Sequence, residues 1–342
     1  MNQKIHLLGM TLDELKEVAK ECGLPKFAAK QIADWLYNKR VTEVDEMTNI
    51  SVANRNVLSE KYDVGRSLPV ESQTSSDGTV KYLFRTDSGK FVESVMIPDE
   101  NRMTLCVSSQ IGCKLNCSFC MTGKQGFDGN LPANEILNQI FSVEEAEKLT
   151  NVVFMGMGEP LDNYGQLANC LEIMTSDYGL AWSPKRITVS TTGIIPKLQQ
   201  FLTESSAHLA VSLHSPLPEQ RLSIMPVEKS FPIVEILSLL RGYDWTKQRR
   251  LSFEYIMFDG FNDSLAHAKE MVFLLKGLGC RINLIRFHAI PGVDLRPSGK
   301  ETMEQFRDYL TSKGFLCTIR ASRGEDIFAA CGMLSTEKSL QK

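Results

Sequence analysis

The feature that most constrains the fold is the alternation of strand-like and helical segments after residue 103. Strand-like runs lie near residues 151–156, 186–191, 208–213, 251–258, 281–287 and 315–319, and helical patterns lie near 132–147, 163–178, 232–242, 262–278 and 300–313. Such alternation is typical of a parallel sheet with crossover helices. Together with a strand just before residue 107, it predicts an α/β fold. We expect a partial (β/α)6 barrel with one further strand and a site at the carboxyl ends of its strands.

Two different patterns precede the barrel. Residues 1–66 predict helices, in which Thr11 and Glu14 form a capping box. Over residues 67–102 the hydrophobic period changes to two, and Gly-containing turn signals separate strand-like runs. We therefore expect a helical domain over 1–66, a β-meander (β-hairpin) extension over 67–102 and the barrel over 103–342. Alternation alone places Glu93 of the extension on an outward, solvent-facing position.

Composition limits the class of protein. The chain has 342 residues, of which 43% are hydrophobic and 23% charged, which is ample for one large α/β domain and a smaller one. No apolar run reaches membrane-spanning length, and the N-terminus does not resemble a signal peptide. We expect a cytoplasmic protein without a membrane partner. Nine cysteines in such a protein favour metal or redox chemistry over structural disulfides.

Three of these cysteines are closely spaced. Cys113, Cys117 and Cys120 form a CxxxCxxC pattern just after the apolar run 103–107. A structural zinc site usually has four ligands from two pairs, and no second pair follows at zinc-finger distance. Three thiolates on one tight loop suit a cubane 4Fe-4S cluster whose fourth iron is open to a small molecule. Three ordinary core cysteines are disfavoured because Lys, Asn and Ser are interleaved with them.

Polar groups follow the next strands at their carboxyl ends. Gly158 and Glu159 close one strand, Ser190 the next, and Ser212 and His214 a third. Glycine lets a ligand approach the backbone, and a carboxylate there can hold an ammonium group. A lone histidine at a strand end is more often structural than catalytic. Here the agreement among neighbouring strand ends favours ligand contact.

Two further cysteines allow two interpretations each. Cys331 precedes Gly332 after the last strand, so it is either an accessible thiol or a small residue at a helix end. Cys106 ends the strand that leads into the cysteine loop, where a core position is favoured unless it has a partner.

Together these motifs resemble the RlmN/Cfr family of radical S-adenosylmethionine (SAM) RNA methyltransferases. The resemblance covers nearly the whole chain and includes Cys106-Val-Ser-Ser-Gln-Ile-Gly-Cys113, Gln125-Gly-Phe, Gly158-Glu159-Pro160, Asp259-Gly-Phe-Asn262-Asp263, Ile282-Asn-Leu-Ile285 and Arg323-Gly-Glu-Asp-Ile. It implies a radical SAM barrel with a 4Fe-4S cluster and S-adenosylmethionine. The Arg323-Gly pair favours the RlmN branch, which methylates C2 of an adenosine in 23S rRNA and in tRNA next to the anticodon.

The resemblance also implies residue roles. Cys331 takes a methyl group, and Glu93 accepts a proton. Cys106 resolves the covalent RNA adduct by attacking the Cys331 sulfur, which forms a Cys106–Cys331 disulfide. His288 stands where the family has an asparagine contact to SAM, and a neutral imidazole can still donate and accept there. The implied cluster ligands are Cys113, Cys117 and Cys120, and the implied SAM contacts are Gly158, Glu159, Ser190, Ser212, Leu213, His214 and His288.

Partners and alternatives complete the prediction. The resemblance implies 23S rRNA, tRNA and a one-electron donor such as flavodoxin or ferredoxin, and we expect a monomer. The net charge of −3 argues weakly against a nucleic-acid partner, but basic clusters at 39–40, 185–186 and 247–250 could contact phosphate. The alternatives are a Cfr-like C8 methyltransferase, a non-catalytic zinc-stabilised RNA-binding protein, and a radical SAM enzyme acting on a small molecule or protein.

Overall fold

The computed structural model describes residues 4–247 and 249–336, beginning with a small helical region. Its elements are β1 (Ile5–His6), α1 (Leu12–Glu21), α2 (Ala28–Ala33), α3 (Val52–Lys61) and β2 (Tyr62–Asp63), and the two short strands pair in parallel. The predicted capping box of α1 is present. The Glu14 carboxylate accepts from the Thr11 N–H at 2.7 Å, and the Thr11 hydroxyl accepts from the Glu14 N–H.

A meander and then alternating strands and helices follow. The meander comprises β3 (Glu71–Thr74), β4 (Val80–Arg85), β5 (Phe91–Asp99) and β6 (Arg102–Cys106). After it come β7 (Gln110–Gly112), α4 (Met121–Gln125), β8 (Phe127–Asn130), α5 (Ala133–Phe141), β9 (Asn151–Phe154), α6 (Tyr164–Thr175), β10 (Ile187–Thr191), α7 (Ile195–Glu204), β11 (His208–Ser212), α8 (Pro218–Ile224), α9 (Ile233–Arg241), β12 (Leu251–Met257), α10 (Leu265–Leu275), β13 (Cys280–Arg286), α11 (Lys300–Ser312) and β14 (Leu316–Ile319).

Ten of these strands form one open sheet. Its order is β14-β13-β12-β11-β10-β9-β6-β5-β4-β3, parallel from β14 to β6 and antiparallel from β6 to β3. The predicted α/β fold with an open barrel and a β extension is therefore confirmed. Helices α7 and α8 are additions to the prediction, and each begins with a proline in its first turn, a position that proline favours. Within the described ranges, no helix is long and apolar enough to cross a membrane.

The core lies between the sheet and its crossover helices. Strand β12 is buried at every position, as expected for a central parallel strand covered on both faces. On the helix side, Tyr255 of β12 stacks on Phe306 of α11 with ring centroids 5.5 Å apart. The same strand carries Glu254, which is only 3% exposed. A carboxyl group buried in a central strand requires a hydrogen-bond or ion-pair partner. The face of the sheet opposite Tyr255 must therefore carry polar groups.

The outward orientation predicted for Glu93 is wrong. Its side chain is 3% exposed. Residues 332–336, which follow the barrel, cover this face of the extension, and the Ser335 N–H donates to the Glu93 carboxylate at 3.0 Å. Both faces of β5 carry buried hydrophobic residues, Val95 on the face of Glu93 and Val92 on the other. Alternation could not show that a segment more than two hundred residues later would cover the face of Glu93.

His6 joins the N-terminal region to the extension. Its ring contacts Asp63 beside it, and its Nε2 lies 2.8 Å from Oδ2 of Asp87 in the β4–β5 turn. Partial burial opposes charging of the imidazole, but hydrogen bonds and ion pairs with the two aspartates outweigh it, so the pKa of His6 is raised above 6.5. The protonated ring therefore stabilises the folded state.

We predict that His6→Gln destabilises the protein more at pH 5.5 than at pH 8.5. A raised histidine pKa gives stability that is present below the unfolded pKa of 6.5 and is lost as pH rises through the folded pKa. Because both aspartates are partly exposed, the effect should be on the order of 1 kcal/mol. Urea unfolding of both proteins across this pH range measures it. A difference that does not change with pH would contradict the assignment.

Candidate functional site

A cavity of about 440 Å³ opens where the parallel strands end. This volume lies in the range of small-molecule sites. Leu213 and Glu93 do not line the cavity. The other residues expected from sequence do line it, namely Cys106, Cys113, Cys117, Cys120, Gly158, Glu159, Ser190, Ser212, His214, His288 and Cys331.

The cysteine loop is held between two paired strands. Strand β7 precedes it, and β8 returns antiparallel to β7 after α4. The N–H of Cys113 donates to the Gly126 carbonyl at 2.6 Å, which closes the loop. Gly112 has φ +75°, and a Cβ there would lie 1.9 Å from the Gly126 oxygen. Only glycine fits this close approach, so the backbone fixes where the loop begins.

The three thiols of the cysteine loop share one wall of the cavity, and no cation of the same loop faces them. Burial raises the pKa of Cys113 to about 12 and that of Cys117 well above its usual value, and the thiols also repel one another's negative charge. Within residues 4–247 and 249–336, no three His, Cys, Asp or Glu side chains are arranged to hold a single metal ion. A 4Fe-4S cluster binds each thiolate through a different iron, so its ligands surround a body instead of meeting at one point. The loop fits such a cationic cluster, which would stabilise the thiolates.

Gln110 connects the cysteine loop to the Gly158-Glu159 turn. Its Oε1 accepts from the Glu159 N–H at 2.8 Å, and its Nε2 donates to Asp162, also at 2.8 Å. Gly158 has φ +97°, and a Cβ there would lie 2.5 Å from Cβ of Gln110. The cysteine loop and the Gly158-Glu159 turn are therefore packed closely together, and a larger residue at Gly158 would disturb this packing.

Glu159 is a buried carboxylate on the cavity wall. Burial raises its pKa, and hydrogen bonds lower the pKa in part. Thr191 Oγ1 donates to it at 2.6 Å and the Thr192 N–H at 2.8 Å, both from the end of β10. The Leu161 N–H donates at 3.1 Å. These donors orient the carboxylate, which can still accept from a cationic ligand in the cavity.

Arg221 positions the ends of β10 and β11 from behind the cavity. Its guanidinium is fully buried and donates to the carbonyls of Thr192, Ser212 and Leu213. Its charge is paired with Glu228, which is also buried. Leu213, whose side chain faces the core, thus contributes its carbonyl to this support instead of lining the cavity.

His214 is neutral in this site. Its Nδ1 accepts from the Ile256 N–H at 3.1 Å, which leaves the other ring nitrogen, Nε2, as the donor. Burial, together with the charge of Arg221, lowers its pKa to about 3. Asn262, from the Asp259-to-Asp263 motif, donates to the carbonyls of His214 and Ile256 at 2.7 Å each. The motif therefore fixes the histidine backbone, which has φ +53°.

Cys106 and Cys331 lie in the same cavity although they are far apart in the sequence. Burial raises the pKa of the Cys106 thiol to about 12, and that of Cys331 is also raised. Cys331 is exposed to the interior of the cavity, whose walls still desolvate it. Arg320 and Glu254, which the sequence did not single out, also line this part of the cavity. Arg320 NH1 lies 3.5 Å from Glu254 Oε2. The Arg320 charge lowers the pKa of both thiols.

Glu254 had a detectable signal in the sequence, because an acidic residue inside a strand buried on both faces is exceptional. Arg320 had no such signal, since a basic residue directly after a strand is ordinary.

His288 lines the cavity and is 5% exposed. Its Nδ1 has no hydrogen-bond partner among the described residues, and Glu325 Oε1 lies 3.4 Å away. The imidazole is thus available to a ligand.

Two arginines of the basic clusters, which the sequence suggested as phosphate contacts, have a different role. Arg249 is 8% exposed, packs over the rings of Phe201 and Tyr243, and donates to the Leu202 carbonyl. Arg186 likewise donates to backbone carbonyls and stacks on Trp182. Both are therefore structural. Positive charge at the cavity comes instead from Arg102, Arg286, Arg320 and Arg323, which line it.

Comparisons with known proteins agree with this geometry. The profile of the Radical SAM superfamily matches residues 107–272, and that of the ribosomal RNA large subunit methyltransferase N-terminal domain matches residues 5–64. A probable dual-specificity RNA methyltransferase RlmN of Phocaeicola vulgatus is 63% identical over 98% of this chain and 96% of its own length. A dual-specificity RNA methyltransferase RlmN of Syntrophus aciditrophicus is 41% identical over 97% of each chain.

A solved structure shows the same fold. The crystal structure of a radical SAM methyltransferase from Sphaerobacter thermophilus superposes with a TM-score of 0.91 at 38% identity, covering 97% of this chain and all of the other. The similarity therefore includes the N-terminal region and the extension as well as the barrel.

We predict that Arg221→Met destabilises the protein by about 3–5 kcal/mol, because it leaves the Glu228 carboxylate buried without its partner. Arg221→Met/Glu228→Leu should recover a large part of this loss, since no buried charge remains. Guanidinium unfolding of the wild type and both variants measures the difference. Equal destabilisation by the single and double variants would show that the packing of Arg221, and not its charge, matters.

Proposed function

Because this chain belongs to the RlmN family of radical SAM RNA methyltransferases, we propose that it methylates C2 of an adenosine in 23S rRNA and in tRNA next to the anticodon. The methyl group reaches the base through a methyl-cysteine on this chain. C2 is the position implied by the RlmN branch of the resemblance. The printed names of the relatives support RNA as the substrate class, and neither the zinc-binding nor the small-molecule alternative is favoured.

The cofactors are held by the strand ends. Cys113, Cys117 and Cys120 hold the 4Fe-4S cluster through thiolates on the closed loop. When bound, the cluster and S-adenosylmethionine supply the electron, the methyl group and the radical chemistry that an unreactive sp² ring carbon requires. Several residues that line the cavity would contact S-adenosylmethionine, namely Gly158, Glu159, Ser190, Ser212, His214 and His288. Leu213 supports them from behind.

Glu159 and the two histidines give this site its selectivity. The Glu159 carboxylate suits the ammonium group of the amino acid moiety, because a charge-assisted hydrogen bond in a buried site is strong. Neutral His214 offers an N–H donor without adding positive charge beside a sulfonium ligand. His288 occupies the position of the family asparagine, and its Nδ1 makes no hydrogen bond with the described residues, although Glu325 Oε1 lies 3.4 Å away.

The observation that carries the proposal is the convergence of Cys106 and Cys331 in the cavity of the cluster loop. Cys331 is open to the cavity and carries the methyl group on its Sγ. After the carbon–carbon bond to the base has formed, the Cys106 thiolate attacks the Cys331 sulfur. The bond between the Cys331 sulfur and the transferred carbon breaks as the Cys106–Cys331 disulfide forms. That carbon keeps the electron pair, in conjugation with the ring, and takes a proton to become the methyl group, and thiol reduction restores both cysteines. Arg320 favours the thiolate form of each cysteine by its charge.

The remaining assignments concern the proton and the RNA. Glu93 accepts the ring proton that the base must lose. Arg102, Arg286 and Arg323 at the cavity contact phosphate beside an adenosine turned out of its stack. Residues 1–66 form an accessory domain that binds RNA. The enzyme acts as a monomer in the cytoplasm, and a flavodoxin or ferredoxin supplies the electron.

We predict that alanine at Cys113, Cys117 or Cys120 each abolishes assembly of the full cluster, because each thiolate binds a different iron. Anaerobic reconstitution followed by iron and sulfide analysis and the visible absorption spectrum measures this. Cys22→Ala, at the end of α1 and away from the cavity, is the matched control and should retain the brown colour. A colourless wild type with stoichiometric zinc would contradict the cluster assignment.

We predict that Cys106→Ala and Cys331→Ala fail at different steps. Cys331→Ala has no sulfur to methylate and should form neither thioether nor RNA adduct. Cys106→Ala should accumulate a covalent protein–RNA species, because no thiolate attacks the Cys331 sulfur. The double variant should behave like Cys331→Ala alone, since the first step precedes the second.

A denaturing gel with labelled RNA resolves these outcomes, and Cys280→Ala on β13 serves as the cysteine control that does not line the cavity. Turnover by Cys331→Ala would overturn the shared-thiol mechanism. So would the absence of trapped RNA with Cys106→Ala under reducing conditions with excess S-adenosylmethionine.

A further inference from the structure

Lys81 and Glu93 form a buried ion pair on the extension. In the antiparallel register, Glu93 lies opposite Leu83 and Val95 opposite Lys81, so the acid and the lysine are diagonal neighbours on one face of the sheet. Val95 also lies opposite Cys106 on β6. Side chains directly opposite each other share a face, so the lysine, the acid and the Cys106 thiol all project to the same side.

The pair is closely held. Lys81 Nζ lies 3.1 Å from Glu93 Oε1, and the side chains are 6% and 4% exposed. The Ser335 N–H donates to the second carboxylate oxygen at 3.0 Å. A second cavity of about 40 Å³ adjoins the pair and is lined by both residues, together with Glu71, Gln73 and Ser335 among others. One water needs roughly 10–15 Å³, so this polar space can hold a few.

The segment Leu334–Ser335 borders both cavities. Leu334 lines the large cavity with Cys106 and Cys331, whereas Ser335 lines the small one with Glu93. The Glu93 carboxylate lines the small cavity and is joined to the wall of the large one through the Ser335 N–H and the adjacent Leu334.

Burial and three neighbouring residues have the largest effects on the pKa of Glu93. Burial raises its pKa, and the negative charge of Glu71 on β3 adds to this, whereas Lys81 on β4 and the Ser335 N–H lower it. Among the described residues, Lys81 is the positive charge with the largest effect on the pKa of Glu93. A base must be unprotonated to accept a proton, so the balance set by Lys81 decides whether Glu93 can act.

We infer that Lys81 is a positioning residue for the reaction, whose ammonium group keeps the Glu93 carboxylate ionised and oriented to take the ring proton. The proton moves from the adenine ring carbon to a Glu93 oxygen. This inference rests on the proposed function, because that function makes Glu93 the proton acceptor. Lys81 itself does not line the large cavity.

The first test is the pH dependence of turnover with the reconstituted enzyme and an RNA fragment. Lys81→Met should reduce turnover at pH 7 by at least about tenfold and accumulate the covalent protein–RNA species. It should also move the acidic limb of the pH profile upward by about one unit or more, because a buried acid without a cation holds its proton. Lys81→Arg keeps the charge and should restore most of the activity at neutral pH.

The matched control is Lys90→Met, which removes an exposed lysine paired with Asp128 from the same part of the sheet. It should leave the profile unchanged. A Lys81→Met enzyme whose acidic limb coincides with that of the wild type would overturn the inference. Equal loss in Lys81→Met and Lys81→Arg at every pH would do the same, because it would indicate a packing role.

A second readout is independent of methylation. Infrared difference spectra between each holoenzyme and its Glu93→Gln derivative report whether Glu93 is protonated, through the carbonyl band of a carboxylic acid. The wild type should show carboxylate at pH 7, and Lys81→Met should show the acid. Failure of the wild type to methylate RNA would refute the proposed function alone, whereas identical infrared spectra with and without Lys81 would refute the inference about Lys81.

Discussion

The parallel register of β6 and β9 to β14 is the constraint on which the rest of the structure depends. Because these strands pair in sequence order and in one direction, each of the loops that follow them emerges at the same edge of the sheet. The cysteine loop, the Gly158-Glu159 turn and the segment that carries Cys331 are therefore brought together without any local sequence signal for their contact. Gln110 then fixes the cysteine loop relative to the Gly158-Glu159 turn, and Arg221 fixes the ends of β10 and β11, in both cases through hydrogen bonds with backbone groups.

Three pairs of oppositely charged groups, each with at least one buried member, lie around the site. Arg221 is paired with Glu228 behind the cavity, Arg320 with Glu254 on its wall, and Lys81 with Glu93 beside it. Removing a charged group from water is unfavourable, and a partner offsets that loss only when the geometry is good. Each pair therefore holds a charge at a defined place, where it can orient a backbone, stabilise a thiolate or keep an acid ionised.

The sequence predicted most of the fold because hydrophobic periodicity directly reports which faces are buried. Nearly all the site residues that it selected line the cavity, since glycine, acidic and hydroxyl groups at strand ends are informative. Glu93 was misplaced because its cover comes from residues 332–336, and long-range packing leaves no local pattern. Arg249 was misinterpreted because a basic run appears exposed unless aromatic neighbours such as Phe201 and Tyr243 are known. Arg320 was missed because a basic residue directly after a strand is ordinary.

The central claim is that Cys331 carries the methyl group that enters the RNA, and an isotope chase tests it most directly. The reconstituted protein is incubated with S-adenosylmethionine whose methyl carbon is carbon-13, freed of it by desalting, and then given unlabelled S-adenosylmethionine, reductant and RNA for a single turnover. Mass spectrometry follows the label in the Cys331 peptide and in the RNA. The account predicts loss of carbon-13 from the peptide and its appearance in the modified adenosine. Modified RNA that carries only the unlabelled methyl group, with the label still on Cys331 or never on the protein, would contradict it.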